Sequence, residues 1–229
     1  MLFKRKRFPS FEMVNTFLPF EGFEKSAKSL DSRRLNKQII EAYQILTILE
    51  DLWFLSEQLE DLPPPIDKEN IAESFVSRCE WIRTFSKKYR SREEKFERDY
   101  QILLKGKDIS SGKKGLQIKL GFCCHPATKM WFGYERALRR YINACISELS
   151  TRTTKDGSKH RLPKKRIRVQ RTVPLPWWLG YEKFHESHRS SLIRKEPEYY
   201  QKILETLDPE LEYVWPSDLS VSDINKIFS

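Results

Sequence analysis

The 229 residues contain no apolar run long enough to span a bilayer, no CxxC pair and no internal repeat. The first absence argues against an integral membrane protein, and the third rules out a repeat array. The four cysteines are Cys79, Cys123, Cys124 and Cys145. Two are adjacent and cannot easily share an ordinary disulfide or zinc geometry, so buried free thiols in a reducing compartment are the better reading. Metal ligands are equally sparse. His125 and His160 have no matched carboxylate or cysteine context. His185 and His188 lie three apart on one helix face, and hydrogen-bonded structural or phosphate-contacting roles suit them better than zinc. Neither a metal nor a cofactor is expected. The opening Met1–Arg7 is basic but lacks the apolar stretch of a secretory signal, so it reads as a tail. An intracellular location, cytoplasmic or nuclear, is expected.

What is present is charge of both signs, with 42 Lys and Arg against 32 Asp and Glu and a net charge of +10. A polyanion-binding face follows, although the surface as a whole is not basic. Hydrophobic residues make up 39% and aromatic residues 13%, enough for one real core. Asp31 is placed to cap a long helix. Behind it Leu35, Ile39, Ala42, Ile45, Leu46, Leu49, Trp53 and Leu59 recur at helical spacing until Pro63-Pro64-Pro65. A second helical stretch is predicted over Lys68–Leu104, with Ser86–Arg98 as a solvated charged face. Glycine-bearing Lys105–Lys119 reads as a loop. Pro126 opens a helix predicted to run through Trp131, Tyr134, Leu138, Tyr141 and Ile142 to about Leu149. Helix is expected again over Glu182–Arg194 and from Pro197 through Leu207.

These elements predict an all-α fold, a compact helical domain with a helical insertion and a basic arm or loop. The organisation expected is a basic N-terminal extension (1–13), a core from 14–62 and 120–216, an insertion (63–119) and a C-terminal tail (217–229). The arm is Arg152–Arg171, where nine Lys or Arg accompany one acidic residue and few apolar anchors. Dense cations without burial are poorly explained by folding and suit phosphate contact. Lys164, Lys165 and Arg166 are its candidate nucleic-acid ligands.

Four phrases remain: Asn15-Thr16-Phe17-Leu18-Pro19, Asp31–Gln38 leading to Glu41, His125–Trp131, and Phe184–Lys195 followed by Tyr199-Tyr200, with Trp178-Leu179-Gly180 beside the last. In them the chain resembles a family of bacterial and viral proteins assigned to the pyrimidine dimer DNA glycosylases, the endonuclease V type known from phages. The resemblance covers about Val14–Glu50 and Gly121–Trp215. It implies a helical protein that excises damaged bases from duplex DNA through an amine nucleophile and then breaks the strand. It also implies that the nucleophile is a mature N-terminal α-amine and that a glutamate on the first long helix is its partner, here Glu41. Twelve residues precede Met13, so the implied terminus is Val14, exposed if translation or processing begins at Met13. Asn15 stands next to it. Lys37, one turn before Glu41, is the fallback amine. Arg33 and Arg34 are the basic residues of the same helix.

The chemistry supports that pairing independently. Glycosidic cleavage develops positive charge on the sugar, which a carboxylate stabilises. An amine attacking C1′ leaves a Schiff base. An α-amine, which ordinarily titrates at about pH 8 against about 10.4 for lysine, needs the least tuning at neutral pH. Glu41 can equally be a surface residue paired with Lys37. Arg189, Arg194 and Lys195, near Tyr199 and Tyr200, suit phosphate contact, and His125 and His188 complete the candidate contacts. The function expected is a DNA glycosylase with associated lyase activity on damaged or modified pyrimidines. The alternative is a non-enzymatic DNA- or RNA-binding protein on the same scaffold.

Overall fold

The Asp31 carboxylate accepts a hydrogen bond from the Arg34 N–H at 2.9 Å, and the longest of the described helices begins there. In the computed structural model, which describes residues 15–90, 120–170, 172–206 and 208–229, this helix is α2 (Ser32–Gln58), preceded by α1 (Phe23–Ser29). Leu35, Ile39, Ala42, Ile45, Leu46, Leu49 and Leu52 are all buried along one face of α2. Each buried Leu or Ile contributes roughly 1.5–3 kcal/mol, so this stripe anchors the core. The helix ends at Gln58, and Glu60 takes a positive φ of 52° ahead of the prolines.

Six further helices follow among the described residues: α3 (Ile71–Arg90), α4 (Pro126–Lys129), α5 (Glu135–Thr151), α6 (Glu182–Lys195), α7 (Pro197–Tyr200) and α8 (Val221–Phe228). Short 3-10 turns occupy Trp177–Gly180 and Pro216–Asp218. No strand forms among the described residues, so the all-α expectation holds. Helix α5 packs along α1 and α2, and α3 packs on α8 and the Pro216–Asp218 turn. No described helix is long and apolar enough to cross a membrane.

The described part of 63–119 shares this core. Ala72, Phe75, Cys79, Ile82 and Phe85 of α3 are buried with it. Arg78 lies against the rings of Trp53 and Phe132, 5.4 and 5.1 Å from their centroids, and donates Nε–H to the Pro64 carbonyl at 2.9 Å. Residues 217–229 also fold. A reciprocal Ser220–Asp223 capping box starts α8, whose Ile224 is buried. The 1–13 extension, the Lys105–Lys119 loop and the 91–104 part of the second helical stretch lie outside the described residues.

Two helices depart from the sequence expectation. The helix from Pro126 does not run on to Leu149 but stops at Lys129, and α5 starts anew at Glu135. Gly133, at φ +91°, turns the chain. The Glu135 carboxylate then accepts from the Gly133 N–H at 2.8 Å and from Trp53 Nε1 at 2.9 Å. The helix after Pro197 is a single turn, and beyond it the chain comes back to α6, where Ser190 Oγ donates to the Asp208 carbonyl at 2.5 Å. The basic arm runs extended against α5, with one bridge, Thr153 to Lys159, near its start. Its first residue, Arg152, donates to the carbonyls of Leu30 (2.6 Å) and Lys28 (3.0 Å) and so caps the end of α1.

A Cβ at Gly133 would lie 2.1 Å from Arg78 Nη1 and 2.7 Å from Ile66 Cδ1, in a backbone conformation that disfavours side chains. Arg78 is buried against two rings and tied to the Pro64 carbonyl, which restrains it from swinging away. Gly133→Ala is therefore expected to cost about 1–3 kcal/mol, read as a lower urea midpoint. An unchanged midpoint would mean that Arg78 and Ile66 yield freely.

Candidate active site

Residues 15–19 are buried and largely extended, yet no strand among the described residues serves their backbone. Buried amides and carbonyls must still find partners. Side chains supply them. The Phe17 N–H donates to Gln38 Oε1 at 2.7 Å, and the Tyr141 hydroxyl donates to the Phe17 carbonyl at 2.9 Å. The Leu18 N–H donates to His188 Nδ1 at 3.1 Å, and the Leu18 carbonyl faces His185 Nδ1 at 2.8 Å. Arg189 donates to the Pro19 carbonyl at 2.8 Å. Ser26 Oγ accepts from the Phe20 N–H at 3.1 Å and donates to its carbonyl at 2.7 Å. Thr16 Oγ1 accepts from Trp131 Nε1 at 3.0 Å. The motif phrases that lie far apart in sequence thus meet around one short segment.

Gln38 carries this segment to the carboxylate. Its Oε1 accepts from Phe17, and its Nε2 donates to Glu41 Oε2 at 3.0 Å. Glu41 is buried, with its other oxygen 3.7 Å from Lys37 Nζ. Lys37 itself is half exposed. Asn15 donates Nδ2–H to the Tyr213 hydroxyl at 3.0 Å, which Ser191 Oγ also meets at 2.5 Å. Burial pushes the Tyr213 phenol up, and its ring lies 6.5 Å from that of Phe17, whose N–H Gln38 holds beside Glu41. Asn15, Lys37, Gln38, Glu41 and Tyr213 therefore converge. Val14 lies outside the described residues.

The candidate cations divide into two sets. Arg34 is buried, pairing with Asp31 at 2.7 Å and with Glu196, its guanidinium 5.1 Å from the Tyr200 ring centroid. Arg189 is buried on Pro19 and Glu182. His188 is fully buried beside the rings of Phe17, Phe184, Tyr213 and Trp215. His125 caps α4 through Nδ1, accepting from the Ala127 N–H at 3.2 Å, and burial lowers its pKa. These four sit within the fold's own hydrogen bonding. Exposed, by contrast, are Arg33, Lys37, Lys164, Lys165, Arg166, Arg194 and Lys195. Lys195 lies over the Phe17 ring at 6.0 Å, on the same segment that reaches Glu41. Arg194 is braced by the carbonyls of Pro209 (2.7 Å) and Leu211 (2.9 Å). Among the described residues no group of three or more His, Cys, Asp or Glu could hold a metal ion.

A buried carboxylate beside a cation, next to a rigid chain segment and rimmed by further cations, is suited to a charged sugar–phosphate substrate. The chain matches, over residues 14–162, the family described as pyrimidine dimer DNA glycosylase. It belongs to that family. The comparisons with curated proteins and with solved structures give no match. The matched range contains the 15–20 segment, Gln38, Glu41 and Tyr141, and ends within the basic arm. Membership implies DNA as the substrate.

Sequence reasoning missed Gln38, Tyr141, Ser191 and Tyr213 as site residues, while His185 takes the hydrogen-bonded structural role expected of it. Gln38 did leave a signal, because it interrupts the apolar face between Leu35 and Ala42, one turn before Glu41. Tyr213 left none, since a tyrosine at the head of the apolar Tyr213-Val214-Trp215-Pro216 stretch reads as packing.

His188 accepts from Leu18 through Nδ1, so its proton sits on Nε2, and burial holds its pKa down to about 3. The unfolded chain, with an ordinary value near 6.5, binds that proton more readily. The His188 contribution is thus fully present above about pH 6.5 and is lost as pH falls toward 3, by up to about 1.4 kcal/mol per pH unit. Urea midpoints from pH 7 to 5 should fall, and His188→Gln should flatten the fall. Equal slopes in both proteins would remove His188 as the titrating group.

Proposed function

We propose that the protein is a DNA glycosylase with associated lyase activity on damaged or modified pyrimidines in duplex DNA. The observation that carries this reading is the Phe17–Gln38–Glu41 chain of hydrogen bonds, which ties the segment following Val14 to a buried carboxylate. The α-amine of Val14, exposed by processing after Met13, attacks C1′ of the target deoxyribose. The glycosidic bond breaks, and the base leaves with its electron pair and takes up a proton. Opening of the sugar ring then gives a Schiff base between the nitrogen and C1′. Loss of a proton from C2′ expels the 3′ phosphate. Glu41 stabilises the positive charge that develops on the sugar and then on the imine. Lys37 is the second amine within reach of that carboxylate, at 3.7 Å.

The target nucleotide must leave the base stack to reach a carboxylate this buried. Arg33, Lys37, Arg194 and Lys195 hold phosphates on the side of α2 and α6, and Lys164, Lys165 and Arg166 hold them along the arm. Arg34, His125, His188 and Arg189 serve binding indirectly, by keeping the surrounding segments in place.

Borohydride added to the protein with abasic-site duplex should give a covalent adduct, mapped by peptide mass spectrometry to the Val14 nitrogen. Glu41→Gln keeps an acceptor for Gln38, so it should fold and bind while turnover drops by roughly 10²–10³-fold. An adduct on Lys37 would move the nucleophile. The absence of any adduct would leave a DNA-binding protein without this chemistry.

A further inference from the structure

The geometry points to a second, preformed phosphodiester site, remote in sequence from the Glu41 motif, in the groove between α5 and the basic arm. This inference rests on the reading of the protein as one that acts on duplex DNA. The groove has a volume of about 550 Å³ and is lined by Arg136, Arg139, Arg168, Val169 and Gln170. The arm beside it is fixed. Asn143 accepts from the Ile167 N–H at 2.9 Å and donates to its carbonyl at 2.7 Å, reading both backbone groups as a neighbouring strand would. Tyr43 donates to the Lys165 carbonyl, and Arg166 donates to Ser147 Oγ. Ile167 and Val169 pack toward the core, so Arg166, Arg168 and Gln170 face outward in alternation.

Arg136 and Arg139 are three apart and share one face of α5. Arg136 donates to Gln170 Oε1 at 3.2 Å, which leaves the Gln170 amide nitrogen to donate into the groove. Arg139 is joined to Glu50 at 2.5 Å, and the remaining donors of its guanidinium are available to a second acceptor. Arg168 is exposed and has no ion-pair partner among the described residues. Glu57 and Glu135 line the adjoining concavity with Arg136 and Arg139, and Glu135 directs its carboxylate to Gly133 and Trp53. Three guanidiniums and an amide around one concavity therefore face solvent, and Glu50 is the acid that meets them among the described residues. That donor set fits a phosphodiester of the DNA backbone, bound through charge-assisted hydrogen bonds without reading the base. Because the arm is pinned, little ordering is needed on binding.

The test measures affinity for undamaged duplex against salt concentration, with borohydride trapping on abasic duplex run on the same proteins. Arg168→Gln breaks no ion pair among the described residues. It should lower the magnitude of the salt slope by about one, and Arg136→Gln/Arg139→Gln/Arg168→Gln should lower it further. Lys226→Gln, at an exposed cation of α8, should leave the slope where it was. Slopes unchanged in both groove variants would overturn the site even if the wild-type protein traps DNA. A reduced slope in the groove variants, beside a wild-type protein that forms no adduct, would keep the groove and remove the lyase reading instead.

Discussion

The rest of the structure depends on how one buried, extended segment obtains its hydrogen bonds. Residues 15–20 have no adjacent strand among the described residues, and leaving their amides and carbonyls unpaired would cost about 1–3 kcal/mol each. Gln38 from α2, Tyr141 from α5, His185, His188 and Arg189 from α6, and Ser26 from α1 take the place of a strand. Four helices are thereby fixed relative to one another by a single stretch of chain. The same device sets the chemistry, because the amide that holds Phe17 also holds Glu41. Position and reactivity are specified together.

This arrangement also explains why the cations sort into two populations. An extended segment offers carbonyl oxygens, and a guanidinium or imidazole is well suited to meet them in the interior. Arg189 does so at Pro19, while Arg34 closes the Asp31–Glu196 corner. The cations left at the surface, with Lys37 and Lys195 nearest the segment and the arm across α2 and α5, form the basic face that a net charge of +10 implies.

Much of the fold was legible in the sequence. The Asp31 cap, the apolar stripe of α2 and Pro126 at a helix start are local signals, and local hydrogen bonds and periodicity enforce them, whereas α2 ends at Gln58, ahead of the expected stop at Pro63. The break at Gly133 was not legible, because it is fitted to Arg78 far along the chain, and the single turn at Pro197 was not legible either. The motif phrases pointed to one site, but the role of each residue inside it did not follow from residue type. Arg34, Arg189, His125 and His188 read as phosphate contacts until the carboxylates and backbone groups they meet are known. The arm read as unanchored because its two apolar anchors, Ile167 and Val169, alternate with arginines.

Arg78 shows how separate loops become one unit. Its planar group lies against the rings of Trp53 and Phe132, faces Gly133 closely and holds the Pro64 carbonyl. Loops at 59–66 and 130–134 are thus fitted to the same flat, delocalised cation, a shape that lysine does not reproduce. Neither loop can drift in sequence on its own. A bulkier residue in one has to be answered by a smaller one in the other, and the two stretches are constrained to evolve as a pair.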